Sequence, residues 1–378
     1  MSPKLSIAFF LHSIRSDWNN GNAHYLRGLA RALGTGSPFT VDIIPPQGHD
    51  VVIYEPRQNW STENLLTEVR GQASLDRFAQ SYPDLHVLSY DLDRAFLRKA
   101  LGGRDIVIVH EWNPPALIEL ILSLRDELGF RALFHDTHHR ASSTPEQMHL
   151  LQVARFDGVI AFGQALRQIY LRNFGLTHVW TLHEAADTTV FHPRQAAKSN
   201  DVVWIGNWGD NERSQEIREY LISPAASLEQ RRFCIYGVRY PQEGLDALAD
   251  AGITYGGYLP NLEAPAAYAD SQVTIHIPRQ QYAGAMAGIP TIRVFEALAS
   301  GIPLISAPWQ DSENLFREGD FLFVHSTYEM KECIEHLLTH SSAAPEQAAR
   351  GLATIRAHHT CGHRAKELAN VCYEVIGK

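Results

Sequence analysis

Gly288-Ile-Pro-Thr-Ile-Arg-Val-Phe-Glu-Ala-Leu-Ala-Ser-Gly-Ile-Pro-Leu-Ile-Ser306 spells a short helix followed by a buried strand. Pro290 precedes the helical run Val294–Ser300, Gly301 falls where a left-handed C-cap belongs, and Pro303 stops continuation. Leu304–Ser306 then reads as a strand. A helix stepping directly into a buried strand is the repeating unit of a parallel α/β sheet.

The same grammar runs outward in both directions. Upstream, β-rich runs at Leu5–Phe10, Phe39–Ile44, Val51–Tyr54, Leu85–Tyr90, Asp105–His110, Arg131–His135, Asp157–Phe162 and Thr177–Leu182 alternate with helical patterns. Ala23, Leu26, Leu29, Ala30 and Leu33 repeat at helical spacing, as do Leu117, Leu120, Ile121, Leu124 and Leu128. At His192–Asn200 the pattern lapses into a polar, Pro-containing stretch, and Val202–Ile205 opens a second series. That series contains Phe233–Tyr236, Ile253–Tyr255, Val273–Ile277 and Phe321–Val324. The reading predicts two Rossmann-like doubly wound domains, residues 1–190 and 191–378, facing each other across a cleft. A last helix near 363–375 is expected to return to the first domain. In such sheets ligands sit at the carboxyl ends of the strands, so polar residues just after strands are the candidates.

Composition narrows the function. A chain of 378 residues is long enough for two cores, and 45% hydrophobic with 20% charged residues is ordinary for a soluble globular protein. The net charge of −9 argues against a nucleic-acid partner that would need a basic face. The N-terminal apolar run is too short to span a bilayer and lacks a cleavage site. The 4 cysteines are dispersed without a Cys-x-x-Cys pair, which predicts reduced thiols and a cytoplasmic protein.

The opening stretch also carries chemistry. N–H groups from Thr291 to Val294, together with Ile292 and the Arg293 side chain, suit a phosphate at a helix N-terminus. Glu296, one turn further in, can accept from ribose hydroxyls. Read without other context, Glu296 complements the helix terminus and Arg293 pairs with it; Arg213 likewise reads as a surface residue near Asp210 and Glu212.

The run Arg293-Val-Phe-Glu-Ala-Leu-Ala-Ser-Gly-Ile-Pro resembles the nucleotide-sugar signature of glycosyltransferase family 4, which has the GT-B fold. Three further segments are similar to that family in the same order: His183–Pro193, Asp201–Arg213, and Ile253–Asn261 ending at Tyr268-Ala-Asp270. Ser16–His24, Phe134–Arg140 and Thr291–Glu296 resemble segments of the CgeB-like glycosyltransferases, a bacterial group. The resemblance implies transfer of a sugar from a nucleoside diphosphate sugar to a small-molecule, glycan or protein acceptor. It implies donor contacts from Gly206, Arg213, Tyr258, Arg279, Thr291, Ile292, Arg293 and Glu296, and acceptor contacts from Asn20, Gly21, His24 and His110. His135, Arg213 and Glu296 are the expected catalytic set, with His135 beside the sugar and Arg213 on the diphosphate. The family's first signature carboxylate is absent: its place is Gly288. A nucleotide-sugar epimerase of the same fold and a catalytically silent sugar-nucleotide sensor remain alternatives.

No metal and no cofactor besides the donor is expected. His135-x-x-His138-His139 and His358-His-Thr-Cys-Gly-His363 lack a complete ligand spacing.

Overall fold

The strand Ile106–His110 is buried along its whole length, as befits a central parallel strand covered on both faces. It belongs to a computed structural model that describes residues 3–15, 21–35, 48–57 and 72–377. The predicted strand Phe39–Ile44 and the residues Asp17, Trp18 and Asn20 lie outside the described residues.

The chain divides into two compact units. The first comprises Met1–Glu184 and Cys361–Lys378, the second Ala185–Thr360. In the first, β1 (Ser6–Phe10), β2 (Asp50–Pro56), β3 (Val87–Tyr90), β4 (Ile106–His110), β5 (Arg131–Asp136), β6 (Gly158–Ala161) and β7 (Val179–Thr181) form one sheet in the order β3-β2-β1-β4-β5-β6-β7. Every neighbouring pair is parallel. The order reverses between β1 and β4, which makes that gap the topological switch point.

The C-terminal helix Cys361–Ile376 packs on helix Gly21–Thr35 of the first unit. Hydrogen bonds that fix it there include Arg364 Nε to His183 O at 3.0 Å, Tyr373 OH to Pro3 O at 2.8 Å, and Trp180 Nε1 to Glu374 at 3.1 Å.

The second unit holds β8 (Asn200–Ile205), β9 (Phe233–Tyr236), β10 (Thr254–Gly257), β11 (Ser271–His276), β12 (Leu304–Ser306) and β13 (Leu322–Phe323), ordered β10-β9-β8-β11-β12-β13. All pairs are again parallel, and the switch point lies between β8 and β11. Val202, Trp204, Ile235, Val273, Ile275 and Ile305 fill its core. The stretch that decided the fold forms helix Ile292–Ser300 and β12 as its residues dictate. Thr291 is extended before the helix, and Gly301 ends it at φ 68°, its N–H meeting the carbonyls of Ala297 and Leu298. All of its residues except Arg293 are buried.

Candidate functional site

At the switch point of the second unit, one side chain bridges the two innermost strands. Arg213 donates from Nε and Nη2 to Asn207 O, just past β8, at 3.1 and 2.7 Å, and from Nη1 to Ile277 O, just past β11, at 3.2 Å. Its guanidinium carbon lies 5.2 Å from the centre of the Trp204 ring. Burial, then the neighbouring Arg279 and Arg293, bring its pKa down to about 10, so it remains cationic at neutral pH. Where an isolated reading expects a surface residue, the guanidinium is turned onto these two carbonyls. Gly206 permits it locally: a Cβ there would sit 2.6 Å from the Trp204 ring.

Around Arg213 the strand ends supply a polar wall. His276, ending β11, reaches Ser306 Oγ with Nδ1 at 2.8 Å and Thr291 Oγ1 with Nε2 at 3.0 Å. Burial and Arg213 hold its pKa down at about 3, so it is neutral. Thr291 therefore spends its hydroxyl on His276 rather than on capping its own helix. Val294 N–H closes onto Thr291 O at 3.0 Å. This corrects the expected anion-facing set, from which Val294 drops out because a tight first turn consumes its N–H. Arg279 pairs with Glu212, whose other oxygen accepts from Gln281 Nε2 at 3.2 Å.

Glu296 is fully buried; Arg293 donates to its Oε2, and Asn261 Nδ2 to its Oε1 at 3.1 Å. Tyr258 lies past the end of β10, three residues before Asn261, and is half-buried. The structure thus gathers Gly206, Arg213, Arg279, Thr291, Ile292, Arg293 and Glu296 at one end of one sheet. Asn207, Glu212, Asn261, His276 and Ser306 join them without having been singled out. His276 had a legible signal, a histidine ending a buried strand; the others are ordinary loop polars whose place only the fold sets.

Gly288 is more than a missing carboxylate. Its φ is +100°, and a Cβ would lie 2.2 Å from Ser312 Oγ. That backbone conformation strains any L side chain, an acidic one included.

In the first unit a second cluster sits at the ends of β4 and β5. Asn113 Nδ2 bridges Phe10 O at 2.7 Å and His110 O at 2.8 Å, spanning that sheet's switch point. His110 Nε2 lies 2.9 Å from Glu111 Oε2 and 3.1 Å from Thr137 Oγ1. Thr137 donates to Glu111 Oε1 at 3.0 Å and accepts from Asn22 Nδ2 at 2.6 Å. His135, 5.5 Å from His110 between ring centres, has its buried Nε2 without a hydrogen-bond partner. Burial chiefly depresses both pKa values to about 3, leaving neutral imidazoles that donate or accept hydrogen bonds but do not act as bases. Burial and the Glu111 charge push Asp136 up to about 7, although Tyr170 OH donates to it at 2.6 Å. Gly21 opens the helix that brings in Asn22, and His24, one turn on, is wholly buried.

Among the described residues no group of three or more His, Cys, Asp or Glu side chains is placed to hold a metal ion, the histidines of 135–139 included. No helix among them is long and apolar enough to cross a membrane.

Residues 213–370 match the sequence family described as Glycosyl transferase-like. No curated protein sequence matches the chain. In three dimensions the chain is similar to Anabaena HepE in complex with UDP and glucose, at 13% identity, covering 97% of this chain and 98% of that one, with a TM-score of 0.68. It is similar to a glycosyltransferase from Rickettsia africae at 11% identity, covering 99% of each chain, TM-score 0.66. An α-glucosyltransferase in complex with UDP and a 13-mer DNA aligns over the full length of both chains at 13% identity and TM-score 0.66. The chain has the GT-B fold, built as two parallel doubly wound sheets of seven and six strands.

Proposed function

We propose that this chain is a glycosyltransferase that moves a sugar from a nucleoside diphosphate sugar to an acceptor. The observation that carries the reading is the Arg213 clasp at the β8/β11 switch point, with Arg279 and the Thr291 helix end around it, inside the segment that matches the Glycosyl transferase-like family. A permanent cation beside a helix N-terminus at this position favours a diphosphate leaving group. Glu296 takes the ribose, its carboxylate being held in place by Asn261 and Arg293. Leaving-group charge is then carried by side chains and backbone N–H groups without a metal. In the first unit His110 and His135 serve the acceptor and the transferred sugar as neutral hydrogen-bonding groups. The finer assignment to the CgeB-like group rests on the quoted segments of both units.

UDP-sugars are the first donors to test, because GT-B structures similar to this one hold UDP. Isothermal titration with UDP, GDP and dTDP, followed by donor hydrolysis and transfer assays, checks the reading. Saturable binding of one nucleotide with turnover of its sugar is expected. A protein that binds the nucleotide and never turns over a donor is a sensor instead.

A further inference from the structure

We propose that Glu212 is a placeholder for phosphate: its carboxylate fills an anion subsite formed by Arg279 and Gln281, which, on the donor reading above, the diphosphate takes over when it binds. Both carboxylate oxygens of Glu212 are engaged, Oε2 by Arg279 and Oε1 by Gln281 Nε2 at 3.2 Å. A carboxylate only accepts, so Gln281 presents its amide hydrogens, and the two side chains form a fork of donors around one anion. Arg279 stands two residues past Ile277, whose carbonyl receives Arg213, so the fork lies at the same end of β11 as the clasp.

The charges around the fork select its ligand. Arg279 and Arg293 both lower the Arg213 pKa and Glu212 raises it, so three guanidinium groups and this carboxylate share one electrostatic neighbourhood. With Glu296 held on Arg293, three cations face two carboxylates, a balance of one positive charge. Swinging Glu212 aside leaves two, which matches a diphosphate diester ionised once on each phosphate. Arg213 can meet the incoming anion, since only three of its five N–H groups are spent on carbonyls. Of the two carboxylates, Glu212 is the one able to yield. The Arg279 and Glu212 side chains are 33% and 27% exposed, so water screens the pair and parting it costs little; Glu296 is wholly buried, and parting its pair would strand a buried charge.

Isothermal titration of the full chain with UDP, uridine and inorganic pyrophosphate tests this. Glu212→Gln should bind UDP about three- to tenfold more tightly than the wild type, and uridine equally well. The gain should vanish in an Arg279→Ala background, because the competition removed is for that guanidinium; a carboxylate that merely repels the ligand from a distance predicts a gain that persists there. Melting temperatures accompany each titration, and Glu212→Ala repeats the measurement if the glutamine variant folds poorly. Unchanged or weaker UDP binding in a folded variant, or a gain that survives Arg279→Ala, overturns the placeholder and leaves the transferase reading standing. Where no nucleotide binds at all, pyrophosphate decides: tighter binding in Glu212→Gln keeps the phosphate subsite and removes the transferase reading, and silence toward all three ligands removes both.

Discussion

Arg213 carries two loads at once, and that sets how its loss should read. Its guanidinium joins the loops after β8 and β11 through three bonds to carbonyls, and it is the cation at the switch point. Arg213→Ala is therefore expected to lower stability by about 1–3 kcal/mol and to weaken UDP far more than uridine. Glu296→Gln should behave in the opposite way, weakening uridine and UDP alike by roughly ten- to a hundredfold, since its proposed contact is the ribose. Titrations of both ligands against both variants check the pair; equal losses in Arg213→Ala would mark a purely structural arginine. Gly288 gives a third case. Gly288→Glu forces a side chain into φ +100° against Ser312. The expected result is a loss of about 1–3 kcal/mol in urea melts and no gain in turnover. A stable, more active variant would show that the missing carboxylate was a simple deletion.

At the scale of elements, the helix Ile292–Ser300 was legible down to its brackets, because Pro290, Gly301 and Pro303 act locally on the backbone. Strand ends were less so: Val87–Tyr90 is shorter than the run Leu85–Tyr90, and β13 keeps only Leu322–Phe323. Hydrophobicity continues past the last ladder hydrogen bond, so periodicity overestimates such edges. The polar wall at the strand ends was hidden for another reason, since partners such as Asn261 and Glu296 lie 35 residues apart and meet only through the sheet. The polar groups at the strand ends of both units have a pH signature. His110, His135 and His276 have folded pKa values of about 3, below the unfolded value of 6.5, so the stability they contribute is present above 6.5 and lost as pH falls toward 3. Asp136, raised to about 7, contributes in the other direction, losing stability as pH rises from about 4 to 7. His12 and His49 are lowered as well and Glu111 is raised like Asp136, so among the described residues five histidines oppose two carboxyl groups, each contributing at most about 1.4 kcal/mol per pH unit. Urea midpoints should therefore fall between pH 6.5 and 4.5, and His276→Gln, which can keep both hydrogen bonds, should flatten the slope. A slope unchanged in that variant would mean that His276 titrates normally.

At the scale of the whole molecule, the six-stranded sheet repeats the order 3-2-1-4-5-6 that the seven-stranded sheet extends by one strand, and each places a polar side chain across its own switch point: Asn113 in the first unit, Arg213 in the second. The duplication of grammar was visible in sequence, as alternating strands and helices broken at His192–Asn200. Under the proposed function the unit with the neutral amide takes the acceptor and the unit with the cation takes the diphosphate. That division of labour gives the His135 experiment its force. His135 belongs to the first unit, is buried and neutral, and has an Nε2 without a partner. If it serves the transferred sugar, His135→Ala should leave UDP affinity unchanged, because every residue proposed for the nucleotide lies in the second unit. Turnover should fall by around a hundred- to a thousandfold, the usual effect of removing one preorganised hydrogen-bonding group from developing charge. His135→Asn or His135→Gln, either of which restores a neutral donor, should recover part of the rate; a merely space-filling role predicts no such recovery. Measuring UDP affinity, melting temperature and donor turnover on the same preparations separates the cases. Intact turnover in His135→Ala makes the residue structural, and lost UDP binding would mean that the two units do not divide the substrates as proposed.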